Sequence, residues 1–340
     1  MKHLRLSATL LGLTAAASLY AYGPYPRQAP GLRDWEGTPT TAIPGTAENF
    51  AGWASSIVTL NYGTDVSEIW KTPARALGPS VGPAPAEDPY HDGDPETRTG
   101  GVYDILCIGR GGEVVLGFDE AFRDGEGWDL AVFENSFNDE MLELAYVEVS
   151  SDGVNFVRFP SDSLTASTVG AFGRLDARDV DGLAGKYRIG YGTPFDLADL
   201  RGLPGSEHLD FEAIRYVKIV DVVGDGNSLD SDGDPIYDPY PVSASAGFDL
   251  EAVGYIHPAL PVPPAAPEVT FALASATTAQ LTWQAEAGVA YTIQAWSGES
   301  WADVETVPAN AETTPVSRTV ALPTSTEAAF FRVLGSWSAE

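Results

Sequence analysis

Apolar residues recur along this chain in short runs separated by Gly, Pro, Asn and Asp. The segments Glu113 to Phe118, Leu130 to Phe133, Ala145 to Val149 and Tyr216 to Val220 are rich in β-branched and aromatic residues, the composition of strands. Helix-period patterns are scarce. Between Tyr146 and Phe159 two alternating segments flank Ser150-Ser151-Asp152-Gly153. Asp-Gly supplies the positive φ of a tight turn, so this stretch predicts a hairpin. The 35 glycines and 25 prolines fit a chain with many turns. The pattern predicts an all-β protein.

The pattern changes at both ends. Lys2, His3 and Arg5 precede an apolar run from Leu6 to Leu19 that ends in small residues at Ala21. This is the order of a secretory signal peptide, expected over residues 1–21 with cleavage after Ala21. The run is shorter than the roughly 20 residues that span a bilayer. Residues 22–48, rich in Pro, Gly and Thr, predict an extended arm. The main domain is expected over 49–257. A Pro-rich linker, 258–267, favours a stiff spacer. Residues 268–340 form a second, smaller β-domain. Its Leu281-Thr282-Trp283 and Tyr291-Thr292-Ile293-Gln294 resemble the second and third strands of fibronectin type III modules, which implies a small sandwich for spacing or attachment.

Several phrases of the main domain carry a further resemblance. Val147 to Phe156 has the strand, Ser-x-Asp-Gly turn and aromatic of discoidin-type and carbohydrate-binding sandwiches. Ile214 to Ile219 is similar to their Ala-Arg-Tyr-Val-Arg-Ile strand, and Phe248 to Gly254 to their closing strand. The domain therefore resembles the galactose-binding-like superfamily, which implies a jelly-roll β-sandwich. Ala76-Leu77-Gly78-Pro79, Gly111 to Phe118, Asp129 to Asn135 and Gly192 to Leu197 also resemble a group of uncharacterised bacterial secreted proteins. That second resemblance implies a fold and brings no activity with it.

Charge narrows the function classes. The net charge is -29 and the pI about 4.2. Nucleic acid is an unsuitable partner, because its phosphates need Lys and Arg. The single cysteine, Cys107, sits in Ile105-Leu106-Cys107-Ile108 and reads as a buried structural thiol. It leaves a chain expected outside the cell with no internal disulfide, so the core must carry the stability.

The densest chemistry lies between Asp221 and Asp238. Asp221, Asp225, Asn227, Asp230, Asp232, Asp234 and Asp238 crowd one loop, and no Lys or Arg occurs between Lys218 and Arg318. Alternate carboxylates repel unless a hard cation joins them, and calcium accepts six to eight oxygens in a flexible shell. Counted from Asp230, the sixth position is Pro235 and the twelfth Pro241, so this is no EF-hand. A looser structural Ca2+ loop, like the Asp-rich turns of thrombospondin type 3 repeats, is expected. The alternative is a solvated acidic loop. Glu134 and Asn135 end the strand Leu130 to Phe133, where they either cap the sheet edge or ligate an ion. Asp119, Asp124 and Glu126 read as an ordinary polar turn, and His91 beside Asp92 as a surface loop.

Catalytic motifs are missing: no Gly-x-Ser-x-Gly elbow accompanies His208, and no His-Glu-x-x-His, P-loop or dinucleotide fingerprint occurs. The expected function is therefore a secreted or cell-surface, calcium-binding, non-enzymatic protein that binds carbohydrate or extracellular matrix. Trp128, Tyr237 and Tyr240, with Trp53 and Trp70, are the aromatics whose faces can stack on sugar rings, the alternative for Trp53 and Trp70 being a place in the core. The alternatives are a structural envelope protein with calcium as a fold staple, and a secreted glycoside hydrolase working through a carboxylate such as Glu134.

Overall fold

A computed structural model describes residues 21–22, 39–80, 104–260, 264–322 and 329–337. Residues 1–20 of the expected signal peptide, most of the arm and the tract holding His91 lie outside the described residues. The protein is an all-β sandwich built from antiparallel sheets. It divides into two compact units, Met1–Leu260 and Pro261–Glu340.

In the first unit the main strands are β1 (Ser56–Asn61), β2 (Glu113–Phe122), β3 (Leu130–Glu134), β4 (Ala145–Ser150), β5 (Tyr191–Phe195), β6 (Ile214–Asp221) and β7 (Asp249–Tyr255). One sheet runs Val157–Arg158, β4, β6, β2, β1. The other runs Ile43–Pro44, β5, β3, β7, Gly52–Trp53, with Leu106–Cys107 beside β7.

Strand burial follows from what lies on each face. In β6, Val217 and Ile219 point inward while Tyr216 and Lys218 are half-buried on the other side, the period of two of a one-sided sheet. Strands β3 and β7 are buried along their whole length. Leu130 and Val132 enter the core between the sheets with Leu116, Val147 and Ile219. Ala131, Phe133 and Ala252 are covered on the opposite face by Ile43, Phe50 and Trp53. The Trp53 ring lies 5.6 Å from that of Phe133, so Trp53 belongs to this packing. Each such fully buried side chain contributes about 1.5–3 kcal/mol.

The expected hairpin forms, with Val157 opposite Val149. Its turn is wound on Asp152, whose carboxylate accepts the N–H groups of Val154 and Asn155, both at 2.8 Å. Those bonds, with that of the Asn155 side chain, hold Asp152 well below the usual carboxylate range.

The second unit has two three-stranded sheets. Strands β8 (Thr270–Leu273), β9 (Thr278–Ala285) and β12 (Thr314–Ala321) form one. Strands β11 (Trp301–Val307), β10 (Val289–Trp296) and β13 (Phe331–Trp337) form the other. Leu281, Trp283, Tyr291, Ile293 and Val333 fill the core between them. No helix among the described residues is long and apolar enough to cross a membrane.

Candidate metal centre

The strand ends decide where the acids gather. In β6 the inward parity of Val217 and Ile219 continues to Asp221, the last residue of the strand. Glu134 ends β3 and Asp249 begins the antiparallel neighbour β7, so both lie at one end of their sheet. Glu143 lies two residues before β4, whose first residue, Ala145, pairs with Asp221. Both sheets therefore send carboxylates to the same end of the sandwich. Asp238 joins them from the Asp-rich loop.

These groups line two cavities that share Glu143. The larger, about 60 Å3, is bounded by Glu134, Asn135, Glu143 and Asp249 among others. The smaller, about 10 Å3, is bounded by Arg110, Glu143, Asp221 and Asp238 among others. The acids differ in how they are satisfied. Asp221 is a clamp: Oδ2 accepts the Gly111 N–H at 2.7 Å and Oδ1 the Phe248 N–H at 2.8 Å. Asp238 accepts the Leu144 N–H at 3.0 Å, and Glu134 accepts that of Ser136 at 2.8 Å. Asp249 Oδ2 receives a long contact, 3.4 Å, from the Asn135 amide, and the Cys107 thiol lies against the same carboxyl. Its Oδ1 is buried with no hydrogen-bond partner, although the residue is only 7% exposed. The half-buried Glu143 carboxylate has no hydrogen-bond donor among the described residues. Leaving a buried oxygen such as Asp249 Oδ1 unsatisfied costs about 1–3 kcal/mol.

Burial raises every one of these acids. It pushes Glu134 and Glu143 well above the carboxylate range, and the nearby charge of Asp249 adds to both. Burial likewise raises Asp238, with Asp221 and Asp225 contributing. Burial takes Asp221 to about 7 against the pull of its two N–H donors, and it raises Asp249 too. Little positive charge offsets them. Arg110 borders the smaller cavity, but its Nη1 donates to Asp65 at 2.5 Å, its Nη2 to the Val242 carbonyl, and its guanidinium lies over Tyr240.

The other expected ligands lie elsewhere. Asp225 folds onto Asn227, accepting its N–H and its side-chain amide. Asp230 turns inward, accepting the N–H groups of Asp232, Asp234 and Ser163. The chain wraps around Asp230, which leaves Asp232 and Asp234 facing solvent. The alternate aspartates thus build a loop around one of their own number. Of the expected aromatics, Trp128 is 39% exposed, Tyr237 packs on the core patch around Ile236, and Tyr240 stacks with Arg110. None of the three lines the larger cavity.

A second acidic group sits at the opposite end of β3. Ligand oxygens of Asp124, Asp129 and Asp196 lie within 4.8 Å of one another, and this group could hold a metal ion. Asp124, expected in an ordinary turn, is thus part of a cluster. Its members are already engaged. Asp129 accepts from Gly125 N–H and Leu197 N–H and lies 2.7 Å from His257 Nδ1. Asp124 pairs with Arg201, and Asp196 caps the turn at Ala198. Among the described residues no other three acids come this close, so Glu134, Glu143 and Asp249 stand wider apart. No family model and no curated protein matches the chain.

Proposed function

We propose that this is an exported, non-enzymatic β-sandwich protein that binds calcium in the larger cavity and recognises carbohydrate or matrix outside the cell. The observation that carries the reading is Asp249 Oδ1, a buried carboxylate oxygen with no hydrogen-bond partner, on a residue that lines a cavity with Glu134 and Glu143. Carboxylate oxygens around one cavity suit a hard cation, and calcium tolerates mixed ligand sets completed by an amide oxygen and water. Asn135, which also lines the cavity, carries such an amide. Export is supported by the N-terminal sequence pattern, and the acidity of the chain suits a compartment where calcium is abundant.

One observation favours a structural component to this function. The cavity acids come from one sheet, Glu134 and Asp249, and from the connection into the other, Glu143, so an ion among them ties the sheets together at one end. In that reading calcium is a staple for an envelope protein with no small ligand. The test is a calcium titration followed by thermal melting of wild type, Glu143→Gln and Asp196→Asn. A calcium-dependent rise in Tm should appear in wild type and Asp196→Asn and vanish in Glu143→Gln. Loss of the rise only in Asp196→Asn would move the ion to the Asp124 cluster. No rise in wild type would end the calcium proposal.

A further inference from the structure

Resting on that calcium site, we infer that the ion keeps coordination positions open toward the cavity mouth and there takes two neighbouring hydroxyls of a neutral saccharide, with Phe172 and Phe137 as stacking faces. The same cavity that holds Glu134, Glu143 and Asp249 is bordered by Phe137 and Phe172. Phe172 is 82% exposed and Phe137 43% exposed. An aromatic ring held in water beside a buried acidic pocket fits a ligand with both an apolar face and oxygens.

The loop presents Phe172 deliberately in structural terms. Val169 is buried and anchors it, and Gly173 donates its N–H to the Gly170 carbonyl at 2.7 Å, closing a turn with Phe172 at its tip. The space is also too large for an ion alone. A water-sized site needs about 10–15 Å3, whereas the cavity measures about 60 Å3. Room remains for oxygens that the protein does not supply. A vicinal diol supplies them in pairs, and the C–H face of the sugar ring then lies against the aromatics. The charge of the chain selects the ligand further: at -29, with five acids around the two cavities, it repels anionic sugars.

The experiment is an array of neutral and sialylated glycans probed with the full chain in calcium or in EDTA, followed by titration of the best neutral glycan. Wild type should bind neutral glycans in calcium and lose them in EDTA. Phe172→Ala, an exposed substitution that leaves folding intact, should weaken the titrated glycan about tenfold while keeping the calcium-dependent rise in Tm. Glu143→Gln should lose both. A blank array with the rise in Tm intact would overturn this inference and leave the calcium site standing. Binding that persists in EDTA, binding unaffected by Phe172→Ala, or preference for sialylated glycans would each overturn it as well. No rise in Tm would instead remove the calcium site on which it rests.

Discussion

Glu143 and Asp249 have side-chain environments opposite to those of structural residues. Asp221 is held by two N–H donors, and Asp221→Ala should cost about 3 kcal/mol in urea unfolding, since it orphans both. Glu143 is held by none. Glu143→Gln should therefore leave stability in EDTA equal or higher, because it removes an acid that has no hydrogen-bond donor among the described residues and is crowded by like groups. The same change should abolish the calcium increment. The pH dependence has a defined sign. The folded pKa of Asp221 is raised from 3.8 to about 7, so the folded state holds its proton more tightly than the unfolded chain. That contribution to stability is full below about pH 4 and is lost as pH rises through about 7. In EDTA, Tm should fall between pH 5 and pH 8, and calorimetry that finds it level or rising contradicts the burial argument. Sequence showed the acidic residues but not their partnering. Glu134, Asn135, Asp221 and Asp238 stood out by charge or position. Glu143 and Asp249 did not, because each sits between apolar residues, Leu142 and Leu144 or Phe248 and Leu250, outside the dense acidic loop. The signal available was a carboxylate at an end of a strand otherwise built to be buried.

At the scale of elements, the apolar runs located the strands well where local pattern suffices. The expected segments at 113–118, 130–133, 145–149 and 216–220 lie within β2, β3, β4 and β6. Strands β11 and β12 were not visible, since Trp301–Val307 and Thr314–Ala321 expose many positions and carry little hydrophobic contrast. The Asp-rich loop was legible as dense charge, but its conformation depends on Ser163, Leu144 and Ser161, which are distant in sequence. Gly224 illustrates the dependence. It has φ +77, and a Cβ there would lie 1.8 Å from Asp238 Oδ1. Gly224→Ala should displace Asp238 from Leu144, cost about 1–3 kcal/mol, and blunt the response to calcium. An unchanged melting curve would show that this loop does not support the cavity.

At the scale of the molecule, the candidate centre lies wholly within the first unit, and all its residues precede Leu260. A chain ending at Leu260 should fold and keep the calcium-dependent rise in Tm, measured by differential scanning calorimetry. Loss of the rise would assign the second unit a part in the site. The all-β class was legible because strand period and turn residues are local properties. The convergence of acids was not, because it requires that two sheets end at the same place. The most direct measurement is a crystal structure of the protein soaked in calcium. The account predicts one ion in the larger cavity, bound by Glu134, Glu143 and Asp249, with these side chains drawn together around it. An ion found only among Asp124, Asp129 and Asp196, or a cavity filled by water alone, would contradict it.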